Sequence, residues 1–447
     1  MFEKVIILLW GHLLASDSLQ FGFKAKTSTT QCTWLVTEVV QHLLRTGSNP
    51  IVTVLDCTKA FDLCKFSILF TRILETGVPP IVVRCLMYMY EDQHGWVRWG
   101  QANSETFSIT NGTRQGAILS PSFWAVYCDL MIKELRQLVV GAHVAGLFMG
   151  VACYADDVVL IAPCQQAMQM MLNTVEDFAA RYNISFSTDP DPKKSKSKCI
   201  FVVGKRRGLT KPSPLTLCGD QLPWVPSAVH LGHELHESGL MEHDVVVKRA
   251  QFIDKSVEVR NMFEWAAPAE VLVALKTYCS DFYGSMLWDL GSEKASQVYS
   301  AWDTAVKLTW SCPRWTRTFL LQQVLACGMT SAKTDILGRY GKFCRGLRTS
   351  VCQEVRVLFN LVARDLQCTT AKNLKLVENS AGVDPWTAGP GKLKEELEKN
   401  QLVDIPPQDA WKLSYLRSLL MQLQQAKHLA QEDRVKYTQD LIDSLVK

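Results

Sequence analysis

Cys-x-x-Cys pairs are absent from this chain, although it contains 15 cysteines. The absence of paired spacing argues against both a zinc site built on cysteines and a disulfide framework. We therefore expect buried, reduced thiols in an intracellular protein, in the cytoplasm, with entry into the nucleus left open by the sequence.

Long apolar runs are also missing. The apolar stretch at residues 5–15 is too short to span a bilayer, and no clear small-residue cleavage site follows it. We predict a helix at the start of a folded domain and no membrane association.

A strong excess of one charge is likewise absent, since 48 basic residues stand against 44 acidic ones. This balance permits a nucleic-acid partner but does not argue for one. The 447 residues, of which 47% are hydrophobic, exceed one ordinary core, so two or three globular domains are expected.

Two adjacent aspartates, Asp156 and Asp157, stand between apolar runs at 147–153 and 158–162. Both runs have strand length and many β-branched residues, which predicts a hairpin with the carboxylates near its tip. Like charges between buried strands are costly unless a cation compensates them, and Mg²⁺ binds such carboxylates together with substrate phosphates. The alternative is a solvated Asp-Asp turn.

A second acidic position, Asp56, ends the β-branched run 51–55 and is followed by Phe61. A carboxylate at the end of a buried strand is a candidate metal ligand. Alternatively, Asp56 caps the next turn and Phe61 is part of the core.

Three further stretches carry candidate binding features. The loop 20–30 leads into a helix with Ser28 or Thr29 as N-cap, where free N–H groups could hold phosphate or the helix could simply be capped. Residues 66–90 are predicted as two helices broken at 77–80, and 97–109 as a hairpin. The turn 111–121, with Arg114 and Gln115 as donors, then enters a helix over 122–138, although an ordinary loop with a helix cap has the same pattern.

Together these stretches resemble, in their order and spacing, the reverse transcriptases of non-LTR (LINE-type) retrotransposons. The matching motifs are Gln20-Phe21-Gly22-Phe23 with Ser28-Thr29, Leu55-Asp56 with Lys59-Ala60-Phe61-Asp62, Arg114-Gln115-Gly116 with Leu119-Ser120-Pro121, Tyr154-Ala155-Asp156-Asp157, Lys193-Lys194-Ser195 and His230-Leu231-Gly232. The resemblance covers about residues 1–350.

The resemblance implies an α+β fold of the right-hand polymerase type, with a palm sheet and its helices, partial fingers and a helical thumb, followed by a helical C-terminal extension. The expected domains are fingers and palm over 1–235, thumb over 236–350 and extension over 351–447, with a linker near 379–407.

The resemblance also implies an activity, RNA-directed DNA synthesis from dNTPs on a DNA primer and an RNA template. Asp56, Asp156 and Asp157 would hold two Mg²⁺ ions, with Mn²⁺ as a substitute. Relatives carry more chain before Gln20, including basic finger residues, so we expect an N-terminally truncated enzyme. A catalytically inactive remnant that still binds nucleic acid is the alternative, and a two-metal nuclease is a third hypothesis. The oligomeric state is not indicated.

Five residues are implied to bind nucleotide or template. Phe61 would reject a ribose 2′-hydroxyl, while Arg114, Gln115 and Gly116 would line the template and nucleotide side. Lys194 would lie near the leaving pyrophosphate. It belongs to the basic stretch 193–207, which either faces phosphate or is a solvated loop.

The second half of the chain offers weaker signals. Four histidines at 230, 233, 236 and 243 suggest either a metal site or, as we predict, a tight hairpin turn. Residues 244–350 are predicted to be helical, with mostly buried tryptophans at 265, 288, 302, 310 and 315. Charges alternate with aromatic residues at 314–317 and 339–345, as in a nucleic-acid surface or an amphipathic helix. One or two helices are expected over 411–446.

Overall fold

The computed structural model describes residues 2–204, 212–280, 282–310, 312, 331–386 and 388–401. Several predictions fall outside these ranges, namely those for Lys205, Arg206 and Arg207, for the 314–317 group, and for the helices over 411–446. The chain divides into two compact units, the first formed by Met1–Leu240 with Leu347–Leu361 and the second by Met241–Gly346 with Val362–Lys447.

The helices of the described residues follow in chain order. They are α1 Phe2–Trp10, α2 Thr29–Arg45, α3 Phe66–Glu75, α4 Pro80–Tyr90, α5 Ser120–Gln137, α6 Gln165–Tyr182, α7 Glu242–Met262, α8 Pro268–Tyr278, α9 Glu293–Thr309, α10 Ala332–Arg348, α11 Gln353–Val362, α12 Thr369–Ala381 and α13 Pro390–Gln401. Short 3-10 helices cover Gly11–Leu14 and Ser285–Leu287.

The strands are short except for β1. They are β1 Ile51–Thr58, β2 His94–Gly95, β3 Arg98–Trp99, β4 Ala102–Asn103, β5 Phe107–Ser108, β6 His143–Val144, β7 Leu147–Phe148, β8 Val151–Tyr154, β9 Asp157–Ala162, β10 Ser185–Phe186, β11 Lys198–Phe201, β12 Leu215–Leu217, β13 Asp220–Leu222, β14 Ser227–His230 and β15 His233–His236.

One five-stranded antiparallel sheet forms the centre of the first unit. Its strand order is β10–β1–β9–β8, and β11 pairs with β1 as well. One edge of β1 pairs with β9 along six residues, while its other edge pairs first with β11 and then, from Cys57, with β10. Helices α2, α5 and α6 contribute buried faces to this unit. The predicted α+β fold is confirmed.

Local sequence signals explain the elements that flank the sheet. The Ser28 hydroxyl accepts a hydrogen bond from the Gln31 N–H at 3.1 Å, so the predicted N-cap of α2 is confirmed. The break predicted at 77–80 is confirmed too, since α3 ends at Glu75 and Pro80 begins α4.

Two predicted boundaries are wrong. The strand expected over 147–153 is interrupted between β7 and β8, where a Cβ atom on Gly150 would lie 2.7 Å from the Phe148 ring. The linker expected near 379–407 contains α13, in which Leu393 packs against Gly341 of α10 and is fully buried. The boundary expected at 235 stays a prediction; contacts divide the chain at Leu240.

The second unit is helical in its described part, as expected. Trp288, Trp302 and Trp310 are buried, and Trp288 Nε1 donates to Asp244 Oδ2 at 2.8 Å. Trp265 is 78% exposed, in contrast to the other three. Tyr340 and Cys344, in the 339–345 stretch, are also buried, which fits an amphipathic helix. Among the helices described, none combines the length and apolarity needed to cross a bilayer.

Candidate active site

The sheet register places Asp56 directly opposite Asp157. These two residues are Cα partners in the β1–β9 ladder, and Tyr154 pairs with Asp157 where the β8–β9 hairpin closes. Opposite residues in an antiparallel pair project from the same face of the sheet. Asp156 occupies the turn of the hairpin, next to Asp157. The predicted hairpin with carboxylates near its tip is therefore confirmed.

Negative charge accumulates at this end of the sheet. Burial, together with the nearby Asp156 and Asp56 carboxylates, raises the pKa of Asp157 to about 6. Across the described residues, no three or more His, Cys, Asp or Glu side chains are placed to hold a metal ion on their own.

A lysine that sequence reasoning missed lies beside Asp56. Lys196 Nζ is 3.6 Å from Asp56 Oδ2; Lys194, the predicted residue, is exposed like Lys196, and its backbone N–H donates to Asp191 O. The register explains the choice, because Lys198 pairs with Val54 and an antiparallel continuation brings position 196 level with Asp56. Only strand pairing, which the sequence does not reveal, distinguishes these lysines.

The residue before Lys198 also contacts Asp56. The Asp56 N–H donates to Ser197 Oγ at 3.2 Å, and the Asp56 carbonyl accepts from the Ser187 N–H at 3.0 Å. Asp56 lies where β1 changes partner from β11 to β10, so side-chain and loop groups complete its backbone hydrogen bonds. Ser197 is fully buried.

Phe61 lies half-buried just beyond β1. Its ring centroid is 5.2 Å from that of Trp124 and 6.2 Å from that of Phe23. Its carbonyl accepts from the Thr113 N–H at 2.8 Å, which joins the 111–121 turn to the end of β1. Phe61 is thus held beside the acidic end of the sheet by aromatic and backbone contacts.

Arg114 is directed toward the end of α4. Its guanidinium donates to Met89 O and, at 3.2 Å, to Gln93 Oε1, and lies 5.0 Å from the centroid of the Tyr90 ring. Carbonyls at a helix C-terminus favour such cations. By contrast, Gln115 and Gly116 are exposed, and Gly116 has a φ of +80°. Of the three predicted turn residues, these two are open to solvent.

Three of the four histidines, at 230, 233 and 236, lie in the predicted hairpin, while His243 lies in α7. Strands β14 and β15 pair His230 with His233 around Leu231-Gly232. His230 is 2% exposed and its Nδ1 lies 3.2 Å from Thr33 Oγ1. Burial, with a contribution from His233, lowers the pKa of His230 to about 3, so this ring is neutral at physiological pH. Through His230, this hairpin packs against α2 within the first unit.

Comparison with known proteins identifies the class of this domain. Residues 1–217 match the family described as reverse transcriptase (RNA-dependent DNA polymerase). This range contains the strands that carry Asp56 and Asp157 and the turn that carries Asp156. The chain therefore contains a reverse transcriptase domain.

The relatives narrow this class. The chain is 26% identical over 188 residues to the Pol polyprotein of the R2DM retrotransposable element of Drosophila melanogaster, covering 42% of this chain and 17% of that protein. It is 28% identical over 227 residues to the Pol polyprotein of the R2 element of Bradysia coprophila, covering 48% and 26%. The domain is a reverse transcriptase of the non-LTR retrotransposon type. The chain spans about a quarter or less of the length of these relatives.

Two solved telomerase structures are similar to this chain at a low level. The telomerase from Candida albicans, in a complex with the TWJ fragment of telomeric RNA, has 12% identity and a TM-score of 0.37, over 93% of this chain and 55% of that chain. The telomerase from Candida tropicalis has 10% identity and a TM-score of 0.36, over 80% and 56%.

Proposed function

We propose that this chain catalyses RNA-directed DNA synthesis, in which the 3′-hydroxyl of a DNA primer attacks a dNTP selected by an RNA template. The observation that carries the proposal is the placement of Asp56 opposite Asp157, with Asp156 beside it, inside a reverse transcriptase domain. Two separated acidic motifs on adjacent strands are suited to phosphoryl transfer, which depends on positioning and charge stabilisation.

The carboxylates fit two divalent ions. Burial, followed by repulsion from Asp156 and Asp56, raises the pKa of Asp157, and a bound cation would stabilise its charged form; oxygen donors suit Mg²⁺ or Mn²⁺. Since Mg²⁺ keeps several water and phosphate ligands, a site with few protein ligands is appropriate. Asp56, Asp156 and Asp157 would hold such ions, which would supply activation of the primer hydroxyl and neutralisation of the triphosphate charge.

The neighbouring residues take roles in substrate binding. The half-buried Phe61 ring, fixed against Trp124, is placed to exclude a ribose 2′-hydroxyl by bulk. Lys196, beside Asp56, offers a positive charge to the triphosphate, a role that the sequence had suggested for Lys194. The exposed Gln115 and Gly116 are available to the template side.

The implied partners are an RNA template, a DNA primer and dNTPs, inside the cell. All cysteines of the described residues are free thiols, which supports a reducing compartment, either the cytoplasm or the nucleus.

Single-nucleotide primer extension on an RNA template with Mg²⁺ tests the proposal. The wild-type chain should add one nucleotide, and the double variant Asp156→Asn with Asp157→Asn should add none. Asp177→Asn, an exposed carboxylate on α6 of the same unit, should retain full extension.

Other outcomes contradict the proposal in distinct ways. Binding of primer–template without extension by the wild type would favour an inactive nucleic-acid-binding remnant. Degradation of the primer would indicate a nuclease. Equal extension by the wild type and the double variant would place the reaction away from these aspartates.

A further inference from the structure

The peptide of Ala155 joins the two catalytic strands. Ala155 lies in the turn between Tyr154 and Asp156, is 8% exposed and has a φ of +58°. A residue with a side chain adopts this left-handed conformation at an energetic cost. Because the ladder ends at the Tyr154–Asp157 pair, strand hydrogen bonds do not fix the Ala155 peptide. Other groups must hold it in place.

Two buried side chains bind the backbone of Ala155, one at its N–H and the other at its carbonyl. Gln20 Oε1 accepts from the Ala155 N–H at 3.0 Å and also from the Gly22 N–H at 3.0 Å. Trp124 Nε1 donates to the Ala155 carbonyl at 3.0 Å. Gln20 and Trp124 are each 1% exposed, so water does not replace either contact.

The backbone around Gln20 is fixed to the same hairpin. The Phe21 N–H donates to Cys153 O at 2.7 Å, and the Cys153 N–H donates to Leu19 O at 2.9 Å. A Cβ atom on Gly22 would lie only 2.4 Å from the Ala155 nitrogen. The chain at 19–22 therefore runs against β8 and its turn, and no side chain fits at position 22.

Within the described residues, the side-chain amide of Gln20 makes its hydrogen bonds through Oε1. Its two neighbours at Oε1 are both N–H donors, which fixes the orientation of the amide. Its Nε2 is buried without a hydrogen-bond partner within the part of the chain that the structure describes. A buried unpaired donor is unfavourable, so packing alone would favour an apolar residue at position 20.

We propose that Gln20, Gly22 and Trp124 form a clamp on the Ala155 peptide that positions Asp156 and Asp157 for catalysis. This inference rests on the proposed function. Gln20 and Trp124 are positioning residues, because they act on the carboxylates through the backbone of the turn. Small displacements of catalytic groups cost large factors in rate, about 100-fold for 1 Å.

The test compares Gln20→Met with Gln31→Met. Gln31 is a matched control because it is 4% exposed, lies in the same unit and makes one buried side-chain hydrogen bond, from Nε2 to Ser350 Oγ at 2.7 Å. Both variants lose a buried glutamine, so both should lower the unfolding temperature, but only Gln20→Met releases Ala155.

Amide hydrogen exchange reports on the clamp without requiring any activity. In the metal-free protein, Gln20→Met should raise the exchange rate at Ala155 by about fivefold or more, the equivalent of one net hydrogen bond. Gln31→Met should leave that rate unchanged. Equal protection of Ala155 in both variants would overturn the clamp.

Single-nucleotide incorporation then tests positioning. With primer–template affinity unchanged, Gln20→Met should lower kcat by about tenfold or more, leave the KM for dNTP nearly constant and raise the Mg²⁺ concentration needed for half-maximal rate. Trp124→Phe should also lower kcat, although its contact with Phe61 makes its KM for dNTP uninformative, and Gln20→Glu, which retains the acceptor oxygen, should recover part of kcat. A loss of kcat in Gln20→Met no greater than in Gln31→Met would refute the positioning role.

The two proposals fail separately. If the wild-type chain incorporates no nucleotide, the proposed function is wrong, while the exchange rate at Ala155 still decides whether the clamp exists.

Discussion

Replacing Asp157 by asparagine should stabilise the metal-free protein above pH 6. Burial and the neighbouring Asp156 and Asp56 carboxylates raise the pKa of Asp157 from 3.8 to about 6, so the folded state holds this proton more tightly than the unfolded state. The folded protein therefore loses stability as the pH rises from about 4 to 6, and the penalty is complete above pH 6. An asparagine amide at this position carries no charge and avoids this penalty.

The magnitude follows from the shift. A pKa raised from 3.8 to about 6 corresponds to about 3 kcal/mol, which solvent screening at this partly exposed position reduces to about 1–2 kcal/mol. We expect the free energy of unfolding of Asp157→Asn to exceed that of the wild type by this amount at pH 8 in EDTA and to equal it near pH 4.

Urea unfolding from pH 4 to pH 8 measures the difference, with Asp177→Asn as the exposed control. Other carboxyls also titrate in this range, so the difference between variant and wild type is the relevant quantity. Mg²⁺ at ten times its dissociation constant should then stabilise the wild type by about 1.4 kcal/mol and reduce the difference in stability between Asp157→Asn and the wild type. A variant that is no more stable than the wild type at pH 8, with a gap independent of Mg²⁺, would refute the electrostatic account of the site.

Three further predictions concern stability, each measured by urea unfolding. Burial raises the pKa of Asp129 to about 7, so the wild-type protein loses stability as the pH rises from about 4 to 7. The free energy of unfolding of Asp129→Asn should exceed that of the wild type by about 2–4 kcal/mol at pH 8 and equal it near pH 4. A higher value at both pH values would contradict this prediction. Gly112→Ala, where a Cβ would lie 3.1 Å from the Phe61 carbonyl, should cost at least about 1 kcal/mol more than Gly47→Ala, which has a similar φ and open space. Arg136→Met, which leaves the buried Glu354 carboxylate without its cationic partner at 2.7 Å, should cost about 3 kcal/mol, and adding Glu354→Gln should restore about half; no restoration would show that packing, not charge, was lost.

Local patterns in the sequence predicted the elements of the site. The β-branched runs before Asp56 and after Asp157 form β1 and β9, and Ser28 caps α2, because strand composition and capping are local properties. The proximity of Asp56 to the Asp-Asp pair followed from family resemblance, since two stretches about a hundred residues apart carry no local signal of their pairing.

What the sequence missed depends on tertiary packing. Lys196 rather than Lys194 reaches Asp56 because of the β1–β11 register, and Arg114 is drawn to the end of α4 by carbonyls that only the folded helix presents. Gln20 is part of a recognised motif, yet its contact with Ala155 depends on how residues 19–21 lie along β8.

The double pairing of β1 has a consequence during synthesis. Its first partner, β9, is made about one hundred residues later, and β11, which covers the other edge, only after residue 197. Until then a long apolar strand presents unpaired N–H and C=O groups, and such an edge recruits strands from other chains. Nascent chains that stall between β9 and β11 therefore expose an aggregation-prone edge, which the complete sheet covers.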